Sequence, residues 1–227
     1  MKKFIVFLLC SLTIISCEKK QERVKVIKNV TDINEMFQLK NYKSEVRMNI
    51  NDSITRITAK QDYFILTGDF NTKMNTKTGI WSLKNRTNSK EIQLDYIIFG
   101  KNDVFKNQII FKEHNKIDSS RSKFFIIKDK SFKDLSIKFF SPEMKDAISK
   151  KAKVIYTIHR NRKEIKTDSI VYKNTKEGKY LASIKYDFKK GDDVAGYFSE
   201  IAISKSPKSK DSLILGNNSI YFIERFE

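Results

Sequence analysis

Every second residue is apolar in run after run of this chain. The clearest case is Ala182, Ile184, Tyr186 and Phe188; Ile92, Leu94, Tyr96 and Ile98 repeat it, as do Leu135, Ile137 and Phe139. A period of two is the signature of a strand with one buried face, because successive side chains point to opposite sides of the pleat. The runs are short. Turn chemistry separates them at Asn51-Asp52, Gly68-Asp69, Lys84–Lys90, Glu177-Gly178, Lys190-Gly191-Asp192-Asp193, Ser206-Pro207 and Gly216-Asn217-Asn218. Even spacing of short strands predicts an all-β sandwich or barrel and argues against parallel βαβ units.

The pattern divides the chain. Residues 42–129 read as an antiparallel β-meander, with a hairpin across Lys84–Lys90 and another around His114-Asn115-Lys116. Residues 130–227 read as an immunoglobulin-like β-sandwich without the Cys-Trp-Cys signature, so that likeness is architectural. One or two short helices accompany them. Asp32 followed by Glu35 resembles a capping box ahead of Ile33, Met36 and Phe37. Ser141-Pro142-Glu143 is a helix start, and Met144, Ala147 and Ile148 give its apolar stripe up to Lys151. Within 63–125, Lys77-Thr78-Gly79-Ile80-Trp81 with Leu83-Lys84-Asn85, and Asn115-Lys116-Ile117-Asp118, resemble units of MORN-variant β-hairpin repeats. Such repeats imply no particular activity. In the second stretch Asn stands in for the turn glycine, and Asn tolerates the left-handed conformation.

The first seventeen residues follow another logic. Lys2 and Lys3 precede the apolar run Phe4–Leu9, and Ile14-Ile15-Ser16-Cys17 follows. The run is too short for a membrane-spanning helix, which needs about 20 apolar residues. A basic start, a short apolar stretch and a small residue before the cut make a secretory leader. The last four residues resemble the lipobox of bacterial lipoproteins. That resemblance implies that residues 1–16 are removed and that Cys17 carries a diacylglycerol thioether and an acylated amine, which is stable anchoring. Residues 17–41 are then a tether and short helix. The expected location is the cell envelope, with the chain lipid-anchored to a bacterial membrane, the outer membrane by this reading.

Composition follows from this. The cysteines are Cys10 and Cys17, so the mature chain keeps no free thiol, disulfide or cysteine metal site. Its fold stands on an apolar core; the sequence has 17 Phe and 9 Tyr, all but Phe4 and Phe7 beyond the leader, to supply the bulk. The formal charge of +18 invites an anionic envelope polymer, although Lys is spread along the whole sequence, as a solvated surface would have it. The densest basic loop runs from His159 through Arg160, Arg162 and Lys163, a candidate anion-binding group. A protein partner is the other expected class. Nucleic acid is not expected, because the chain is exported and carries no recognition signature for it.

Three stretches, Asp52-Ser53-Ile54, Asp168-Ser169-Ile170 and Asp211-Ser212-Leu213, resemble the Asp-Ser/Thr-aliphatic O-glycosylation motif of Bacteroidota-type exported proteins. That resemblance implies sugars on Ser53, Ser169 and Ser212. No catalytic residue stands out. His114 and His159 are far apart and show no metal-ligand spacing. There is neither a nucleophile elbow nor a glycine-rich phosphate loop. No cofactor or metal is expected. The reading is a non-enzymatic envelope lipoprotein that binds or scaffolds a partner. The alternatives are a hydrolase acting on glycans or peptidoglycan through a carboxylate pair, and an immunity or inhibitor lipoprotein.

Overall fold

The computed structural model describes residues 32–101, 103–142, 147–173, 178–206 and 212–227. Residues 1–31, with Cys17 and the expected leader among them, and residues 143–146 lie outside them. The described chain is all-β, and every strand pairing is antiparallel.

Seven strands form one sheet in chain order: β1 (Ser44–Asn51), β2 (Ile54–Lys60), β3 (Phe64–Asn71), β4 (Thr76–Asn85), β5 (Lys90–Gly100), β6 (Asp103–Glu113) and β7 (Lys116–Ile117). This is the expected meander. The β6–β7 connection is a two-residue turn in which His114 (φ 50) and Asn115 (φ 61) are both left-handed. Two-residue hairpins favour that geometry because it matches the strand twist.

One face of this sheet is apolar. Ile57, Ala59, Leu66, Trp81, Leu83, Leu94 and Tyr96 bury themselves there. A single sheet needs a cover for such a face, and a short N-terminal segment supplies it. Helix α1 (Ile33–Met36) is capped by Asp32, whose carboxylate accepts from the Asn34 amide at 2.7 Å. A 3-10 turn follows at Leu39–Asn41. Met36 and Phe37 press into the cluster. Tyr42 donates back to the Met36 carbonyl (2.6 Å), and the Lys77 ammonium donates to the Phe37 carbonyl. Lys77 lies 4.8 Å from the Trp81 ring and 5.7 Å from Tyr96. Burial, helped by Lys106, pulls its pKa down to about 8. Trp81 fits because residue 68 has no side chain: a Cβ there would fall 2.2 Å from the indole. The indole N–H reaches the Asp69 carbonyl at 2.9 Å.

The remaining strands form two sheets. One takes β8 (Phe124–Lys130), β9 (Asp134–Phe140) and β12 (Lys179–Lys185) in the order β12-β9-β8. The other takes β10 (Ala147–Arg160), β11 (Lys163–Lys173), β13 (Asp192–Lys205) and β14 (Leu213–Arg225) in the order β11-β10-β13-β14. Both sheets contribute to one apolar cluster: Leu135, Ile137 and Phe139 with Ala182 and Ile184 from the first, and Val154, Ile158, Val194, Phe198 and Ile220 from the second. Phe139 stacks on Phe198 across the gap, with centroids 5.0 Å apart. Two buried carboxylates of this core are paired, as burial of a charge demands. Asp192 receives both Arg160 guanidinium bonds at 2.8 Å, and Glu200 accepts from Tyr180 and Ser141.

Three expectations are corrected. The turn expected at Gly68-Asp69 lies within β3, where Ile57↔Gly68 and Arg56↔Asp69 pair directly. The helix expected from Ser141 to Lys151 is strand from Ala147 onward, paired with β13 from Ala147↔Ser204. A lone short helix is marginal, whereas a strand fourteen residues long pairs with β13 along its length and with β11 from Lys151 onward. Ser141, expected as its cap, instead bonds Glu200 and Asn218. The turn expected at Gly216-Asn217-Asn218 lies within β14, where Ala202↔Gly216 and Glu200↔Asn218 pair directly.

Candidate cleft between the meander and the paired sheets

The chain leaves the meander at Lys123, which forms a single bridge with Ile109 through two 2.8 Å backbone bonds. The next residue opens β8. This crossing brings the far end of β5 and β6 against β14, and a bulge completes the contact. Asp95 pairs with Gln108 and Tyr96 with Lys106, so Asn107 is the extra residue of β6. A bulge re-aims the side chain it carries. The Asn107 amide leaves its own ladder and takes a rung on another strand. Its oxygen accepts from the Tyr221 N–H at 2.6 Å, and its nitrogen donates to the Tyr221 carbonyl at 2.9 Å. The second amide hydrogen goes to Asp95 at 3.1 Å.

Lys123 repeats the device. Its ammonium donates to the carbonyls of Ser219 (3.0 Å) and Lys106 (3.1 Å) beneath the Phe105 ring. Burial pulls its pKa down to about 8. Gln108 braces the same corner, donating to Asp95 at 3.3 Å and accepting from the Phe125 N–H at 3.2 Å. Around these bonds the rings of Phe99, Phe105 and Tyr221 meet edge-on or tilted, at 4.9–6.3 Å.

Above this corner lies an open cleft of about 530 Å³, within the range of small-molecule sites. Phe99, Tyr197, Tyr221, Phe222, Ile97 and Ile223 form most of its wall. Phe99 and Ile223 are 52% and 66% exposed, so the rim is apolar and open. Gly196 forms part of the floor. A Cβ there would sit 2.4 Å from the Ile155 carbonyl and 2.7 Å from the Phe222 ring. Asp95 is the one carboxylate in the lining and His159 the one imidazole; neither Lys nor Arg lines it. Among the described residues, no group of three or more His, Cys, Asp or Glu could hold a metal ion.

The residues singled out in the sequence do not converge here. Cys17 lies outside the described residues. Ser53 sits in the β1–β2 turn, half-buried, with its N–H bonded to Asn51. Ser169 is exposed midway along β11, on a strand rather than in a turn. Ser212 is exposed just before β14. Arg160, Arg162 and Lys163 do belong to one hairpin, whose two-residue turn Asn161-Arg162 is left-handed at both positions. Arg160 is committed to Asp192, while Arg162 and Lys163 are exposed and form no ion pair among the described residues.

Sequence reasoning missed Asn107, Lys123 and Tyr221. The one available signal was the polar stretch Lys106-Asn107-Gln108, which interrupts the alternation of β6 where the bulge falls. No protein-family model matches the sequence, and no curated protein matches it.

Proposed function

We propose that the chain is a bacterial envelope lipoprotein, anchored through Cys17 at the outer membrane, whose body binds a ligand in the junction cleft without transforming it. The observation that carries the binding part is the cleft itself, an aromatic wall whose side-chain amides are spent on holding it in shape. Asn107 and Gln108 are engaged by Tyr221, Phe125 and Asp95. The ligand is therefore recognised by apolar and ring contacts, with Asp95 and the tyrosine hydroxyls as polar marks. A cleft lined by one carboxylate and by neither Lys nor Arg suits a neutral or cationic ligand; an anionic envelope polymer suits Arg162 and Lys163 instead.

The paired sheets are read as an immunoglobulin-like sandwich. Their strand order supports this, with the first, second and fifth strands facing the third, fourth, sixth and seventh. Ser53, Ser169 and Ser212 are proposed as glycan carriers; exposure favours the last two.

Two measurements test this reading. Intact mass from native membranes should show an acyl increment that Cys17→Ala removes, and hexose-scale increments if the serines are glycosylated. An unmodified chain would sink the anchor. For the cleft, the neutral dye Nile red should bind the purified protein and lose about tenfold in affinity in Tyr221→Ala, a large truncation of apolar contact. Equal binding by both proteins would remove the cleft from the reading. Release of reducing ends from purified peptidoglycan, abolished by Asp95→Asn, would favour the hydrolase alternative instead.

A further inference from the structure

Exposed apolar side chains gather at one end of the four-stranded sheet. Leu213, Ile214 and Leu215, 66%, 44% and 68% exposed, open β14. Ile148 (59%) lies at the start of β10 and Ile201 (45%) near the end of β13. The register sets their faces. Leu213 is opposite Lys205, Leu215 opposite Ile203, and Ile201 opposite both Asn217 and Lys151. These rungs share the outer face of the sheet. Ile214 pairs with Ser204, so it points to the other face.

The edge strand β1 makes the contrast plain. Val46, Met48 and Ile50 are exposed there too, but Glu45, Arg47 and Asn49 alternate with them. A strand apolar on one face suits a partner laid against that face. A strand end apolar at three consecutive residues suits a medium that surrounds it. The charge pattern points the same way. Lys205 sits beside Leu213, and Lys151 and Lys153 occupy the next rungs inward on the same outer face. Among the described residues no acid stands on those rungs; Glu200 turns inward to Tyr180 and Ser141. Apolar residues at a tip with lysines behind them match the two layers of a bilayer surface, acyl boundary below and phosphate above.

We propose that this end of the sheet enters the headgroup region of an anionic lipid bilayer. Leu213, Ile214, Leu215 and Ile148 reach the acyl boundary, and Lys151, Lys153 and Lys205 meet lipid phosphates. The free backbone edge of β14 keeps its hydrogen bonds in that layer, where water and headgroups are available, as it would not in hydrocarbon. The contact does not depend on the Cys17 anchor, and it would orient a chain held by that anchor.

The test uses the full chain with Cys10 and Cys17 changed to Ser and one cysteine introduced, Leu215→Cys, carrying a bimane label. Vesicles of phosphatidylcholine with phosphatidylglycerol, with and without lipids brominated near the headgroup, are the probe. The expected result is a blue shift with loss of most of the emission to the brominated lipid. The same label at Ile80→Cys, equally exposed on β4 of the meander, should show neither effect. Adding Lys151→Glu and Lys153→Glu should weaken the response at residue 215. A label at 215 that stays in water while vesicles are present overturns the proposal. So does a blue shift that grows with protein concentration without vesicles, because that means a second copy covers the strand.

Discussion

The two halves of this molecule close their cores in different ways. The paired sheets cover each other, so each buried residue is held by neighbours on two sheets. The meander has one sheet, and a segment of about ten residues, Ile33–Tyr42, stands in for the second layer. A seven-stranded sheet can depend on very little chain. Met36, Phe37 and the Lys77 bond to the Phe37 carbonyl do for the meander what a whole sheet does for the other half. Trp81, the chain's one tryptophan, sits in the meander core and reports on that half alone.

The change expected to destabilise the single-sheet half most severely is Gly68→Ala. The new Cβ would displace the Trp81 ring, with a loss of at least ~3 kcal/mol. Urea unfolding followed by Trp81 fluorescence measures it. Gly79→Ala, left-handed but in open space, should cost only about 1 kcal/mol. Asp192→Ala should come next among single changes, at about 3 kcal/mol, because it leaves Arg160 without its buried partner. Its effect should appear in far-UV circular dichroism rather than in Trp81 emission. The Arg160 hydrogen bond holds the Asp192 carboxyl below the usual range, so that stabilisation is present above ordinary Asp values and lost as pH falls through the folded one.

Phe37→Ala should remove a similar amount, up to about 3 kcal/mol, but from the meander. If the Trp81 transition moves alone, the halves unfold separately; if both signals move together, Asn107 and Lys123 couple them. The smallest effect is the pH response. Lys77 and Lys123 are pulled down to about 8, so between there and the unfolded value of 10.5 the unfolded chain binds more protons. Stability should therefore climb from pH 8. Near pH 10 the rise should reverse, because burial pushes Tyr42 and Tyr96 up and the unfolded chain then loses those protons first. Urea midpoints across this range should show the maximum, and Lys77→Met with Lys123→Met should flatten the rise.

Local patterns made much of the architecture readable. Leu135, Ile137 and Phe139 alternate in sequence and are all fully buried. Asp32 caps its helix because that preference acts within one turn of chain. What escaped the sequence depends on distant partners. Ala147 and Ile148 fit a helical stripe, and only the presence of β13 alongside makes them strand. Gly216-Asn217-Asn218 looks like a turn until β13 holds it straight. The cleft joins Asp95 to Tyr221 through a bulge, and no spacing rule links residues so far apart. Gly68 gives no hint of Trp81 until the register places one over the other.

The Asn107 amide has a consequence beyond the shape of the cleft. β14 is an outermost strand, and its outward N–H and C=O groups are a template on which another chain can add and continue the sheet into an aggregate. At Tyr221 both groups are already taken by Asn107, and at Ser219 the carbonyl is taken by Lys123. A foreign strand arriving there finds the positions filled by side chains, which offer it no continuing backbone. The two residues that join the halves of the protein thereby act as a stop on sheet growth, and a variant that loosened the joint would also expose a seed for fibre formation.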